Sequence, residues 1–307
     1  MSIERILVLG AGELGTEVLL SLAQHPHVNG ITIAVLLRAS RISSTQPEKV
    51  RAISLLRDRN IQLVSGDLVN DSQESLAEIF REYDTIIGCT GFVAGRGTQL
   101  KLARAVLAAE VPRYIPWQFG VDYDIIGRGS AQDLFDEQLD VRDLLRSQSK
   151  TRWGIISTGM FISFLFEPSF GVVNLEEGSI CALGSWDTQV TVTAPEDIGR
   201  ITAELVLGSG RGTVFDNRAI YIAGDTVSYV QLAQVVEEFT GKTFRKSVRT
   251  VEAAKADLTK EPDNSLYKYQ VVFGECLGVA WELATTWNYQ IGLPALSVKE
   301  YVKRYLA

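Results

Sequence analysis

Between an apolar run, Ile6 to Leu9, and a segment in which Leu14, Val18 and Leu22 recur at helical spacing stands the turn Gly10-Ala11-Gly12-Glu13-Leu14-Gly15. A buried strand that feeds an amphipathic helix through a G-x-G-x-x-G turn leaves few folds open. The three glycines serve different ends. Gly10 lets the chain turn sharply out of the strand, Gly12 lets backbone approach a pyrophosphate, and Gly15 lets the helix pack on the sheet. The helix N-terminus then presents unpaired N–H groups and the positive end of its dipole to phosphates. The stretch reads as a dinucleotide-binding fingerprint, with ligand contacts expected at Gly10, Gly12, Glu13, Leu14 and Gly15. The alternative is a tight strand-to-helix connection without a ligand.

Strand and helix patterns alternate through the first half. Strands are expected at Ile31–Leu37, Ile61–Val64, Thr85–Cys89, Arg113–Trp117 and Trp153–Ser157, and helices at Pro47–Asp58, Gln73–Arg81, Thr98–Ala109 and Gln132–Arg146. This βαβ rhythm predicts an α/β fold, a Rossmann-type doubly wound parallel sheet with ligands at the carboxyl ends of its strands. After Thr158 the rhythm changes. The phenylalanine-rich stretch from Gly159 to Phe170 contains a single charge, and it reads equally as a pocket wall or seam and as core. A helix is expected from Pro195 to a stop at Gly208, with Asp197 starting the helix or anchoring a sheet. A last strand at Ala219–Ala223, a helix at Tyr229–Phe239 closed by Gly241, and a terminal helix at Val298–Tyr305 complete the reading. The expected domains are 1–157, dinucleotide-binding, and 158–307, smaller and substrate-binding, with some of its segments returning to the first sheet.

A chain of 307 residues that is 46% hydrophobic can fill a sizeable core. Its net charge of −7, with Lys and Arg scattered, argues against nucleic acid or an anionic membrane as partner. Cys89, Cys181 and Cys276 are odd in number and far apart in apolar sequence, so they read as reduced core residues of a cytoplasmic protein. His25 and His27 flank Pro26 at a helix end, so neither a Cys–His pair nor a metal site is expected. No apolar run approaches the roughly 18 residues of a membrane span, and no signal-peptide cleavage pattern follows the N-terminal strand.

An NAD-preferring site places Asp or Glu at the end of the second strand. Here that position reads Leu37-Arg38-Ala39-Ser40-Arg41. Arg38 and Arg41 can pair with a 2′-phosphate and Ser40 can donate to it, so the expected cofactor is NADP(H); solvated surface arginines are the alternative. Asp67 after the third strand, and Thr90, Gly91 and Phe92 after the fourth, are expected beside the same ligand or as simple turn chemistry.

From Tyr114 to Asp122, Tyr-Ile-Pro-Trp-Gln-Phe-Gly-Val-Asp, the sequence resembles the isoflavone-reductase-like and NmrA-like branch of the atypical short-chain dehydrogenase/reductase superfamily, whose Pro-x-x-Phe-Gly segment appears as Pro116, Phe119 and Gly120. The likeness continues through Gly66-Asp67-Leu68, Gln99-Leu100-Lys101 and Asp197-Ile198-Gly199-Arg200. The resemblance implies NADPH extended along the strand ends, with Gln118 and Phe119 beside it. It also implies a cleft between the Rossmann domain and a smaller C-terminal domain, and small, often aromatic, substrates.

Reductases of that family carry a lysine on the helix after the Phe-Gly segment, and the aligned position here is Gln138. Gln138 shares a helical face with Leu134, Val141 and Leu145, so it points inward. Its amide can hydrogen-bond a ribose or a carbonyl but cannot exchange a proton at neutral pH; a satisfied buried amide is the alternative. No tyrosine has Lys four residues later. The remaining proton-transfer candidates are Asp122, Asp124, Asp136 and, foremost, Tyr123. The first functional reading is an NADPH-dependent reductase of a small, polarised, ring-containing metabolite (imine, quinone or conjugated enone), with Phe92, Val93, Tyr123, Met160, Phe161 and Phe164 lining its site. Two others stay open: an NADP(H)-sensing regulator without turnover, and a non-redox cyclase or isomerase that retains the cofactor. A second copy of the chain or a regulatory protein as partner is also left open.

Overall fold

Strand β1 (Glu4–Leu9) is an interior strand of the main sheet, with Ile6, Leu7, Val8 and Leu9 all sealed from solvent. The computed structural model describes residues 4–210 and 213–306. From β1 the chain continues through α1 (Glu13–Gln24), β2 (Ile31–Leu37), α2 (Ala39–Ile42), α3 (Pro47–Asp58), β3 (Gln62–Ser65), α4 (Gln73–Phe80), β4 (Thr85–Gly88), α5 (Thr98–Ala108) and β5 (Arg113–Ile115). Then come α6 (Tyr123–Ile126), α7 (Leu134–Arg146), β6 (Arg152–Ser157), β7 (Met160–Phe161), β8 (Val173–Asn174), β9 (Ser179–Leu183), β10 (Gln189–Thr193) and α8 (Pro195–Leu207). The remainder is β11 (Arg218–Tyr221), β12 (Asp225–Ser228), α9 (Tyr229–Thr240), β13 (Arg245–Arg249), α10 (Val251–Lys260), α11 (Ser265–Glu275), α12 (Trp287–Gln290) and α13 (Val298–Tyr305).

Seven strands pair in the order β11-β6-β5-β4-β1-β2-β3. The pairs from β6 through β3 run parallel, with Leu7 opposite Ala34 on one side and Ile86 on the other. Strand order reverses between β1 and β4, and at such a switch point the strand ends splay apart and leave room for a ligand. One hydrophobic core packs Leu7, Leu36, Phe80, Ile86, Tyr114 and Trp153 together. Two three-stranded sheets, β12-β10-β7 and β13-β9-β8, are additional to it.

The chain divides into two compact units. One holds residues up to Gln118 with Asp140–Ile156 and Ile198–Ile220; the other holds Phe119–Leu139, Ser157–Asp197 and the residues from Tyr221 onward. Residues 119–139, expected in the first domain, thus group with the second, whereas 198–220 return to the first. The strand expected at Ala219–Ala223 is β11. Cys276 departs from its expected core position: it is exposed, and it ends α11 in the left-handed region at φ 56°. Asp197 stands in the first turn of α8, as expected of a helix-start residue, and its Oδ2 accepts the Leu296 N–H of the segment before α13 at 2.7 Å rather than a group of a sheet.

In the first unit α1 and α8 are tied by His25, whose Nε2 lies 2.9 Å from Glu204 Oε2. Partial burial pushes the Glu204 carboxyl up, but hydrogen bonds from His25 and from the backbone and hydroxyl of Ser209 outweigh it and hold the group at about 2. A carboxyl depressed by folding contributes stability that is fully present above its ordinary value and lost as pH falls through the folded one. Melting midpoints of the wild type and Glu204→Gln should therefore differ at neutral pH and converge as pH falls from about 4.5 towards about 2. A gap that stays constant across that window would contradict the assignment.

Candidate functional site

At the carboxyl end of β1 the glycine turn divides its labour. Gly10 sits at φ +97°, and a Cβ there would overlap the Thr90 hydroxyl. A Cβ on Gly15 would run into the Gly10 carbonyl, so the helix can approach its own strand only through a glycine. Gly12 is different: a Cβ there would meet nothing within 4 Å. It is also the N-cap of α1 and makes no side-chain cap. The amides of Glu13, Leu14 and Gly15 have no intrahelical acceptor. They lie at the positive pole of a helix three turns long, next to the unfilled space beside Gly12, which suits a phosphate group. Glu13 is exposed, whereas the Leu14 side chain packs inward and leaves only its amide to a ligand.

Three neighbouring strand ends converge on this turn. After β2, Arg38 and Ser40 are exposed, and Arg41 donates from Nη2 to the Ala11 carbonyl at 2.7 Å, which holds its guanidinium beside the glycines. After β3, Asp67 accepts the Val69 and Asn70 amides and the Asn70 side chain. Its carboxyl is held below the usual range first by Asn70, then by Val69, with the Arg38 charge contributing. Asp67 thus shapes its own turn as well as facing Arg38. After β4, the Thr90 hydroxyl donates to the Leu9 carbonyl at 2.9 Å.

Two residues noticed only as part of a motif acquire physical roles. Gln99 Nε2 donates to the Thr90 carbonyl at 2.7 Å, and Lys101 Nζ donates to the carbonyls of Val69 and Asp71. Together they fix the loops after β4 and β3. Trp117 goes unnoticed in the sequence despite standing inside the Pro-x-x-Phe-Gly segment. Its half-buried indole meets the Phe92 ring edge-on, centroids 4.6 Å apart, and a Cβ on Gly91 would come within 2.8 Å of it. Gly91 must lack a side chain for the indole to lie against that loop. Gln118 is fully buried, its Oε1 accepting the Nε–H of the equally buried Arg142 at 2.8 Å.

The other expected residues belong to the second unit, apart from Val93, whose side chain lies outside the described residues. Phe119, Gln138 and Met160 are buried, and Phe161 is half-buried. Gly159, at φ +70°, lets its strand pass so close to Thr191 that a Cβ would collide with that carbonyl. Asp122 caps α6 and accepts the Tyr221 hydroxyl at 2.5 Å; Asp136 accepts the Gly129 amide. Tyr123 is enclosed, its ring edge-on to Phe135 at 4.9 Å. In the phenylalanine-rich stretch Ile162, Leu165 and Phe170 are core, and Phe164 is half-buried and stacks on Phe170 at 4.5 Å. Among the described residues no cluster of three His, Cys, Asp or Glu could hold a metal, and no helix is long and apolar enough to cross a membrane.

Comparison with known proteins agrees with this architecture. Residues 2–287 match the NmrA-like family. An NmrA-like family domain-containing oxidoreductase of Gibberella moniliformis is 48% identical over 98% of this chain and 97% of its own length. The isoflavone reductase homolog IRL of Zea mays is 27% identical over 84% and 81%. Among solved structures, the leucoanthocyanidin reductase of Vitis vinifera, in a binary complex with NADPH, superposes with a TM-score of 0.80 at 19% identity, covering 98% of this chain and 99% of that one.

Proposed function

This chain belongs to the NmrA-like family, and from that premise we propose that it is an NADPH-dependent oxidoreductase acting on a small, polarised, ring-containing molecule such as a quinone, an imine or a conjugated enone. The observation that carries the reading is the uncapped end of α1, where a Cβ on Gly12 would meet nothing within 4 Å, Arg41 is bonded to the Ala11 carbonyl and Arg38 follows the neighbouring strand. Gly10, Gly12, Glu13, Leu14 and Gly15 would hold the pyrophosphate through backbone, and Arg38, Ser40 and Arg41 the 2′-phosphate. Asp67, Thr90, Gly91, Phe92 and Gln118 complete the cofactor site in this reading. The bound nicotinamide supplies a hydride, and the chain's own residues orient the acceptor and meet the charge that develops on it. In the second unit Gln138 offers a hydrogen-bonding amide, and Tyr123 backs Phe135. An already polarised acceptor suits a site whose position 138 is an amide that cannot give up a proton. The name of the Gibberella moniliformis relative and the NADPH in the Vitis vinifera reductase support the same direction.

Gln138 also favours a second reading, an NADP(H) sensor without turnover. The two separate when the protein is given NADPH with an aromatic quinone, a cyclic imine and a cyclic enone in turn and the nicotinamide absorbance is followed. Oxidation with at least one acceptor, abolished by Gly12→Val, is the expected result. Tight NADPH binding with no oxidation by any of the three would sink the reductase reading in favour of the sensor.

A further inference from the structure

The second unit holds an aromatic cluster assembled from three distant stretches of chain. Phe135 stands between the ring of Tyr123 and that of Tyr269, the latter with its centroid at 5.9 Å. Tyr269 in turn lies 6.2 Å from Phe164 and 6.5 Å from Phe273, and Phe170 stacks on Phe164 from behind. Buried aromatic faces of this kind form a wall on which a flat ring can stack or dock edge-on. Most of the wall is carbon. Tyr123 also carries a hydroxyl, but that residue is enclosed behind Phe135. Tyr269 and Phe164 are only half-buried, so the cluster has an accessible edge and Tyr269 stands at it.

Tyr269 is also firmly placed. On one side Lys268 pairs with Asp133 at 2.7 Å, and on the other Gln270 Nε2 donates to the Phe170 carbonyl at 2.8 Å. Helix α11 is thereby pinned by the residues immediately before and after the tyrosine, and the ring is wedged between Phe135 and Phe164. The hydroxyl itself makes no hydrogen bond to any described residue, although a tyrosine this far embedded usually finds one. Burial pushes it up to about 12, so it remains a hydrogen-bond donor at neutral pH.

We propose that Tyr269 is a specificity-determining residue: its hydroxyl donates to a carbonyl-type oxygen carried by a flat aromatic ligand that rests against Phe164. This deepens the functional reading above, on which it rests only for calling that ligand a substrate. The hydrogen bond selects ring compounds bearing an acceptor oxygen over hydrocarbons of the same size, because the hydroxyl gives up water on binding and must be repaired by the ligand.

The test is calorimetric titration with acetylnaphthalene and ethylnaphthalene, a pair alike in shape but differing in the carbonyl oxygen, performed without cofactor and again with saturating NADP+. Wild type should prefer acetylnaphthalene by about threefold to tenfold, the worth of one hydrogen bond. Tyr269→Phe should abolish that preference while binding ethylnaphthalene as wild type does, since no protein bond is lost and the ring is kept. Phe164→Ala should weaken both compounds. Equal binding of the pair by wild type, an unchanged preference in Tyr269→Phe, or no binding of either compound would overturn the proposal. Failure of NADP+ to bind is a separate outcome: it would remove the oxidoreductase reading, while the cofactor-free comparison still decides the role of Tyr269.

Discussion

Gly12→Val should abolish NADPH binding while leaving the melting midpoint of the protein almost unmoved, whereas Gly15→Val should destabilise the fold itself. The two glycines lie three residues apart in one turn, and their surroundings are opposite. The Cβ of a residue at Gly12 would enter empty space, and the backbone there, at φ −78°, suits any residue. The added isopropyl group would stand where phosphate oxygens must come to reach the amides of α1. Losing two charge-assisted hydrogen bonds corresponds to roughly 100-fold or more in affinity. At Gly15 the Cβ would overlap the Gly10 carbonyl and press on Cys89. Relief requires moving α1 away from β1, with a cost on the order of 3 kcal/mol and a fall in melting midpoint of roughly 5–10 °C. Calorimetric titration with NADPH and differential scanning calorimetry on both variants check the pair. If Gly12→Val melts as low as Gly15→Val, or still binds NADPH like wild type, the open end of α1 is not the phosphate site.

Arg38→Ala is expected to weaken NADPH about 10-fold to 100-fold and to leave NADH unchanged, because only the 2′-phosphate distinguishes the two ligands and an Arg–phosphate contact is charge-assisted. Arg41→Ala should behave differently. Its guanidinium is bonded to the Ala11 carbonyl, so removing it also loosens the glycine turn, and both NADPH and NADH should weaken. Arg38 is exposed, so its contribution should shrink as salt is raised. Titrations of both nucleotides at two ionic strengths test this. Equal affinity of wild type for NADPH and NADH would contradict the assignment of the 2′-phosphate site.

Much of the first unit is legible in the chain because its signals are local. The strands are continuous apolar runs, the helices carry one apolar face, and glycines or capping residues mark the joints; β2 and α3 begin and end where the periodicity places them. Boundaries slip where pairing rather than composition ends a strand, as at β5, which stops at Ile115 although the apolar pattern runs on to Trp117. The second unit is far less legible. Strands β7 and β8 are two residues long and β13 is mostly exposed polar sequence, so no alternation exists to be read. In α11 the aromatic and apolar side chains follow one another too closely to give a clean helical face, and the helix escapes notice along with Tyr269.

What the sequence determines on its own is the dinucleotide turn and the charge beside it, since a G-x-G-x-x-G between strand and helix, followed by Arg38 and Arg41 after the next strand, is a property of short stretches of chain. It also determines that an amide occupies position 138. Tertiary structure alone decides which glycine leaves room for a ligand and which only lets backbone pack, because the residues that crowd Gly10 and those absent around Gly12 are set by the placement of β4 and α1. It alone brings Tyr269 to Phe135 and Phe164, across more than a hundred residues of chain. Contacts of that range leave no periodic trace in a single sequence; they arise when separate elements close over a shared core.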